Sequence, residues 1–462
     1  MKREPSHTHF AYSEASLRQI AEDVLAHARK IGATDCAVDV TEGSGLSVNV
    51  RHGEVETIEQ NRDKGVGLTV YLGERKVVRR GNASTSDFGS KALKDTVEAA
   101  FNIARFTAED DCAGLPEDDQ FETRPGDFDL FYPWDLNAEG AVEIGRAAEA
   151  AAFAVSPMVT NSDGAGVSVQ HAHFISANSR GFRGGYRYSR HSLSVAPIAS
   201  GPVNGVDGMQ RDDWYVSMRD PSDLPPPEAI GRYAARRALA RLGGRKISTR
   251  NAPVLFEAPL ATGLLGAFAQ AVSGTALYRK SSFLIDTLGQ TIFSDHINII
   301  DDPHVKKGMG SASFDEEGVR TQRREVVRAG VLEGYFLSTY AARKLGMKTT
   351  GNAGGSHNLS LKSRDTRRND DFEKMLQKLG TGLLVTELMG QGVNYVTGDY
   401  SRGASGFWVE NGVVAHAVEE ITIAGNLKDM FRHIRAVGAD TLIRGNKEVG
   451  SLLIDGMTIA GG

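Results

Sequence analysis

The chain has 462 residues, of which 53 are basic and 58 acidic, for a net charge of −5. That length exceeds one ordinary core and points to two or three domains, while 40% hydrophobic and 24% charged residues is globular composition without a bias toward disorder. The acidic balance offers no footprint for nucleic acid, and no uncharged apolar run reaches the ~18 residues of a membrane span.

The first ten residues are polar, carry Pro5, His7 and His9, and lack the apolar stretch of a secretory signal. Two cysteines, Cys36 and Cys112, cannot staple so long a chain, so a reducing, cytoplasmic setting is expected. Ser13 reads as the N-cap of a helix over 13–32, where Leu17, Ile20, Val24, Leu25 and Ala28 keep helical spacing and Gly32 supplies the stop. The period then falls to two. Residues 36–40, 46–50, 54–60, 66–72 and 76–80 read as strands, with Gly43, Gly45, Gly53, Gly65 and Gly73 at hairpin distances. A helix over 87–105 aligns Ala92, Leu93, Val97, Ala100, Phe101 and Ala104 on one face.

Residues 107–135 are acidic and contain Pro and Gly, as a connecting loop would. An Ala-rich helix is expected over 138–154, then strands over 167–176 and 183–196 joined through Asn178-Ser179-Arg180-Gly181. The stretch 220–227 ends in Pro225-Pro226-Pro227 and is the expected linker, because consecutive prolines stop both helix and sheet. A helix over 228–242 follows, closed by Gly243-Gly244. Beyond Lys246, short segments alternate with glycine-rich turns, with one polar helix at 371–379. The expected class is α+β. An N-terminal α/β layer domain with an antiparallel meander combines 14–105 with a middle segment, 130–227, and a β-rich, sandwich- or barrel-like domain covers 243–462.

Histidines are the first candidates for chemistry. His171 and His173 stand two apart on an expected strand, so both imidazoles share a face; His191 on the next strand is a third potential metal ligand. Two strand histidines facing a polar interface are the simpler reading. His296 and His304 bracket Asp301-Asp302 in an expected loop, which is either a metal cluster or a solvated turn. His7, His9, His27, His52 and His433 fall on surfaces or termini by pattern. His357 follows Gly354-Gly355-Ser356, where glycine permits close backbone approach, and is a candidate for contacting a peptide or partner. The sequence has no H-E-x-x-H, no phosphate-binding G-x-x-x-x-G-K-[ST], no G-x-S-x-G elbow and no dinucleotide fingerprint.

Longer motifs carry a resemblance. They include Phe131-Tyr132-Pro133-Trp134-Asp135, the run from His171 to Ser192, and Tyr278-Arg279-Lys280-Ser281-Ser282-Phe283-Leu284. The longest run begins at Gly392-Val393-Asn394, continues through Thr397-Gly398-Asp399-Tyr400-Ser401-Arg402-Gly403, and ends near Asn426-Leu427. From about residue 14 onward the chain resembles the TldE (PmbA) branch of the TldD/PmbA metallopeptidase family. The resemblance implies a zinc-bearing TldD-like partner, with the paired subunits enclosing a chamber for unfolded peptides held along a sheet edge. The TldD-type zinc motif H-E-x-x-x-H, with a late Cys, falls on Gly266, Ala267 and Ala271, and Gly450-Ser451-Leu452-Leu453 holds no Cys. No catalytic residue, no metal and no cofactor are therefore expected in this chain. The segment 390–406, with Asn394, Ser401, Arg402 and nearby Glu410, is expected to line the chamber or the subunit contact; tight β turns are the alternative. Two other functions stay open: a metallopeptidase in its own right through His171, His173 and His191, or a non-enzymatic adaptor acting on a topoisomerase or toxin–antitoxin protein.

Overall fold

Ser13 accepts the amide of Ser16 and so starts α1 (Glu14–Lys30), whose buried side is Leu17, Ala21, Val24, Leu25 and Ala28. The structure, a computed structural model, describes residues 9–73, 77–203 and 206–461. His7 and the start of the strand expected at 76–80 lie outside the described residues.

After α1 come β1 (Asp35–Arg51), β2 (Glu54–Leu72) and β3 (Arg79–Thr85). The expected short strands at 36–40 and 46–50 are one strand, as are those at 54–60 and 66–72. Gly43, Gly45 and Gly65 do not turn the chain; they pair in continuous register with Asp63, Asn61 and Thr41. At Gly45 a Cβ would run into the Asn61 side chain, so that glycine serves close approach. The true hairpin turn is His52-Gly53, both at positive φ (52° and 73°). Glu149, buried to 1% exposure, braces it by accepting the amides of His52 (3.0 Å) and Gly53 (2.8 Å).

The chain continues through α2 (Ser90–Phe106), α3 (Ala138–Phe153), β4 (Val159–Asn178), β5 (Arg183–Val203), β6 (Val206–Arg211), β7 (Trp214–Met218) and α4 (Pro227–Ala240). One antiparallel sheet runs β3-β2-β1-β4-β5-β6, with β7 also on β5. On a single face of this sheet, α1 and α2 cover an apolar cluster at one end (Val38, Val40, Leu68, Ile175). At the other end α3 and α4 cover a second cluster (Val48, Val167, Leu193, Ile230, Ala234). The three prolines therefore lead into a helix that packs on the N-terminal sheet, and the chain passes to its second half after α4, through Gly243-Gly244.

The second half contains β8 (Arg250–Phe256), α5 (Ala258–Ala271), α6 (Gly274–Tyr278), β9 (Ile297–Asp302), β10 (Arg324–Arg328), β11 (Val331–Leu332) and α7 (Thr339–Lys344). It continues with β12 (Asn358–Ser363), α8 (Phe372–Leu379), β13 (Gly382–Met389), β14 (Asp399–Glu410), β15 (Val413–Asn426) and α9 (Leu427–Arg432). It ends with β16 (Ile434–Val437), β17 (Leu442–Arg444), β18 (Lys447–Val449) and β19 (Leu452–Ala460). Strands β8, β13, β14, β15 and β19 pair in a closed circuit, making a barrel, and β16 extends it. A second sheet runs β11-β10-β9-β12-β18-β17. The helix expected at 371–379 is α8, and α5 is the main departure from the expected β-rich texture. Its Leu264, Leu265 and Phe268 are buried in a core shared by both sheets.

A buried ion cluster joins the halves. Arg237 of α4 reaches Asp212 (3.1 Å) and Glu257 (2.6 Å), while Arg241 pairs with Asp212 (3.6 Å) and Glu387. Arg219 donates to the carbonyls of Ser189 (3.0 Å) in one half and Met309 (2.9 Å) in the other. Among the described residues no helix is long and apolar enough to cross a membrane.

Candidate functional site

Alternation along β1, β4 and β5 sends one set of side chains under the helices and the other toward the second half. Between the two apolar clusters, the helix-covered face carries a polar band of Glu42, His171, His173 and His191. His171 accepts the Trp134 amide at 3.1 Å, and His191 donates to the Tyr132 carbonyl at 2.8 Å. His173 stands 3.0 Å from Glu42, which also accepts the amides of Ala11 (2.6 Å) and Tyr12 (3.0 Å). Burial, with help from His9 and His191, pushes His171 down to about 4, and burial lowers His191 as well. A neutral His171 is what an acceptor of a backbone amide must be. The Nε2 atoms of all three imidazoles are thus committed within the protein, and the band pins the 9–12 and 131–135 segments onto the sheet. His9 is half-buried against His171 (centroids 4.4 Å), not a surface group as its pattern suggests.

The opposite face meets the second half across a cleft. A cavity of about 490 Å³ is lined by Asp39, Ser176 and Tyr186 of the sheet and by Asp315, Glu316 and His357 of the second half. A second cavity, of about 780 Å³, shares Glu316 and the 353–356 loop with it and reaches α5 at Gly266 and Gln270. Asp315 accepts the amides of Ala353, Glu317 and Val319, yet burial and neighbouring Glu317 push its carboxyl up to about 7. Asp39 is raised by burial, opposed by Ser176 and helped by Glu316.

Of the expected site residues, His357 lies in this cleft. Its backbone amide donates to Asp301 at 2.7 Å and its Nδ1 stands 3.1 Å from the same carboxylate, which is fully buried. The four-residue cluster around Asp301-Asp302 does not converge. His296 is held between Ser363 (2.8 Å) and the Ile434 carbonyl (2.9 Å), whereas His304 stacks on Phe128. Asn394 shapes a turn by accepting the amides of Val396 and Thr397, Arg402 donates to the Met389 carbonyl, and Ser401 is exposed on β14. Glu410 is exposed at the far end of the same strand, so the structure does not gather these four with His357. Sequence reasoning missed Lys447 of β18. Its Cε would lie 3.4 Å from a Cβ placed on Gly266, and its Nζ donates to Asn446 Oδ1 at 3.1 Å.

Family models for PmbA/TldA metallopeptidase domain 1, central domain and C-terminal domain match residues 36–104, 131–242 and 249–461. The chain belongs to the PmbA/TldD family. It is 46% identical over 447 residues to Metalloprotease PmbA of Escherichia coli O157:H7, covering 96% of this chain and 97% of that one. It is 44% identical over 449 residues to a Metalloprotease PmbA homolog of Haemophilus influenzae, covering 97% of each. A solved structure from Bacteroides thetaiotaomicron, named as a candidate modulator of DNA gyrase, matches with TM-score 0.90 and 26% identity over 97% of this chain and 100% of that one. TldE from Thermococcus kodakarensis shares the fold, with TM-score 0.78 and 19% identity over 96% and 100% of the two chains.

Because these PmbA/TldD relatives are named metalloproteases, the fit of an ion to this chain's own donors matters. Gly266, Ala267 and Ala271 present hydrogen and methyl groups on α5, and zinc needs thiolate, imidazole or carboxylate at about 2 Å. These positions do not fit a metal. Among the described residues, one trio of donor groups lies close enough to converge: Asp110, Asp111 and Cys112, in the other half. Lys344 already sits on Asp110 (3.0 Å) and Asp111 (3.6 Å), and burial followed by Asp111 raises the Cys112 thiol away from thiolate.

Proposed function

We propose that this chain is the subunit without metal in a two-subunit cytoplasmic metallopeptidase that acts on unfolded peptides, its partner being a TldD-like subunit that holds zinc. One observation supports the reading: Gly266, Ala267 and Ala271, the α5 positions on which the resemblance puts the family's ligands, have no donor atom. Water that no metal polarises keeps a high pKa and attacks peptides poorly near neutrality. What this chain contributes is enclosure. The cleft beside His357 and the 353–356 loop supplies a peptide-sized wall, and the exposed 394–402 rim with Glu410 supplies surface for the partner. Exposed backbone would bind peptide main chain with little demand on sequence.

Metal analysis and a cleavage assay test this together. Purified alone, the chain is expected to hold far less than one zinc per molecule and to leave an unstructured peptide intact. Mixed with its partner it is expected to give cleavage that a chelator abolishes. Stoichiometric metal that disappears in His171→Ala, or chelator-sensitive cleavage by the chain alone, overturns the proposal in favour of a self-sufficient peptidase.

A further inference from the structure

Among the described residues, Lys447 has no carboxylate within ion-pair distance. The aliphatic stem of this half-buried lysine lies over Gly266, its Cε within van der Waals reach of where a Cβ there would stand, and the residue lines the larger cavity. Among the described residues its one hydrogen-bond partner is the neutral Asn446 amide, at 3.1 Å. Burial alone acts on its proton affinity, lowering it, with no opposing charge to restore it. A charge removed from water with no counter-ion is unfavourable, and a ligand that supplies the counter-ion recovers what burial withholds.

The rest of the cavity narrows the ligand. Glu316 and Glu317 line the same space, Glu316 exposed and Glu317 part-buried, so a polyanion such as phosphate or nucleic acid would be repelled there. A lone ammonium also lacks the fork that Arg uses to grip phosphate. The lining also holds Ser273, Gln270 and the glycine-bearing 353–356 loop, neutral groups able to bond a peptide main chain. The geometry points to a binding site for the end of a peptide, with its C-terminal carboxylate on the Lys447 ammonium and its amino or basic portion toward Glu316. This deepens the peptide reading above and rests on it. It assigns this chain a part in selecting which peptide ends are held, separate from where a bond is cut.

Fluorescence anisotropy of an unstructured, labelled peptide with a free C-terminus, titrated with the isolated full chain, tests the assignment against the same peptide C-terminally amidated. A charge-assisted hydrogen bond predicts binding about tenfold to a hundredfold tighter for the free acid. Lys447→Met, which keeps the stem, should erase that preference without altering the amide's affinity, and Lys447→Arg should restore part of it. Equal affinities for acid and amide, or a preference that survives Lys447→Met, overturns the site. A third, amidated peptide with an internal Glu that binds as tightly as the free acid assigns the lysine to side-chain carboxylates and overturns the C-terminal assignment. If neither peptide binds the isolated chain while the two-subunit mixture still cleaves, the Lys447 site fails and the peptidase reading stands.

Discussion

At the scale of single residues, a buried imidazole adds an acid-sensitive contribution to stability. His171 is held at about 4 by burial, whereas an unfolded histidine titrates near 6.5. The unfolded chain therefore takes up a proton across that window and the folded chain does not, so stability is complete above about pH 6.5 and drains as pH falls toward 4. Roughly 2–3 kcal/mol is at stake from this group. Asp315, raised to about 7 by burial, acts with the opposite sign in the same window, so the loss is read as a difference: denaturant unfolding at pH 7.5 and 4.5 should show that His171→Gln, which can still accept the Trp134 amide, loses less stability on acidification than the parent. Equal pH dependence in the two proteins would sink this assignment. Why these histidines stack in a band was half legible: two-residue spacing placed His171 and His173 on one face, but nothing local revealed that backbone from 131–135 would occupy them. Lys447 was invisible for a similar reason. In a three-residue strand a lysine reads as surface, and only the approach of α5 turns it into a cavity wall.

At the scale of elements, α1, α2, α3 and α4 were readable because each has one apolar stripe, and their ends carry recognisable stops. Helix α5 was not. Apolar on nearly every side and punctuated by Gly263 and Gly266, it shows no contrast between faces from which a period could be read. The long hairpin was misread because Gly43, Gly45 and Gly65 are turn residues by composition, but cross-strand closeness is their use here. That hairpin depends on its brace. Glu149→Ala removes the carboxylate that two part-buried turn amides share, and with water able to replace part of it a loss of about 1–2 kcal/mol is expected by denaturant unfolding. Hydrogen exchange at His52 and Gly53 should accelerate in the same variant; unchanged exchange would show that another group holds the turn.

At the scale of the molecule, the two halves are joined by charge as well as by apolar contact. Glu257 stands just before α5 and its carboxylate receives Arg237 from α4, so Glu257→Ala leaves a buried guanidinium with one fewer partner. Breaking a buried pair by removing one member costs about 3–5 kcal/mol. Calorimetry of Glu257→Ala is expected to show a lower transition, split if the halves can melt apart; a variant as stable as the parent would mean Asp212 alone satisfies Arg237. The sheet itself ends on an unguarded rim. Strand β3 joins β2 only from Val66 onward, and among the described residues no strand lies beyond 54–65. An open row of amides and carbonyls of that length invites any stray extended chain, and Val55 and Ile58 add grease to it. Glu54, Glu56, Glu59, Arg62, Asp63 and Lys64 crowd the same stretch with mixed charge, which makes stacking into fibrils unfavourable. The charges of this ribbon are thus a colloidal restraint, and neutralising its glutamates should promote self-association.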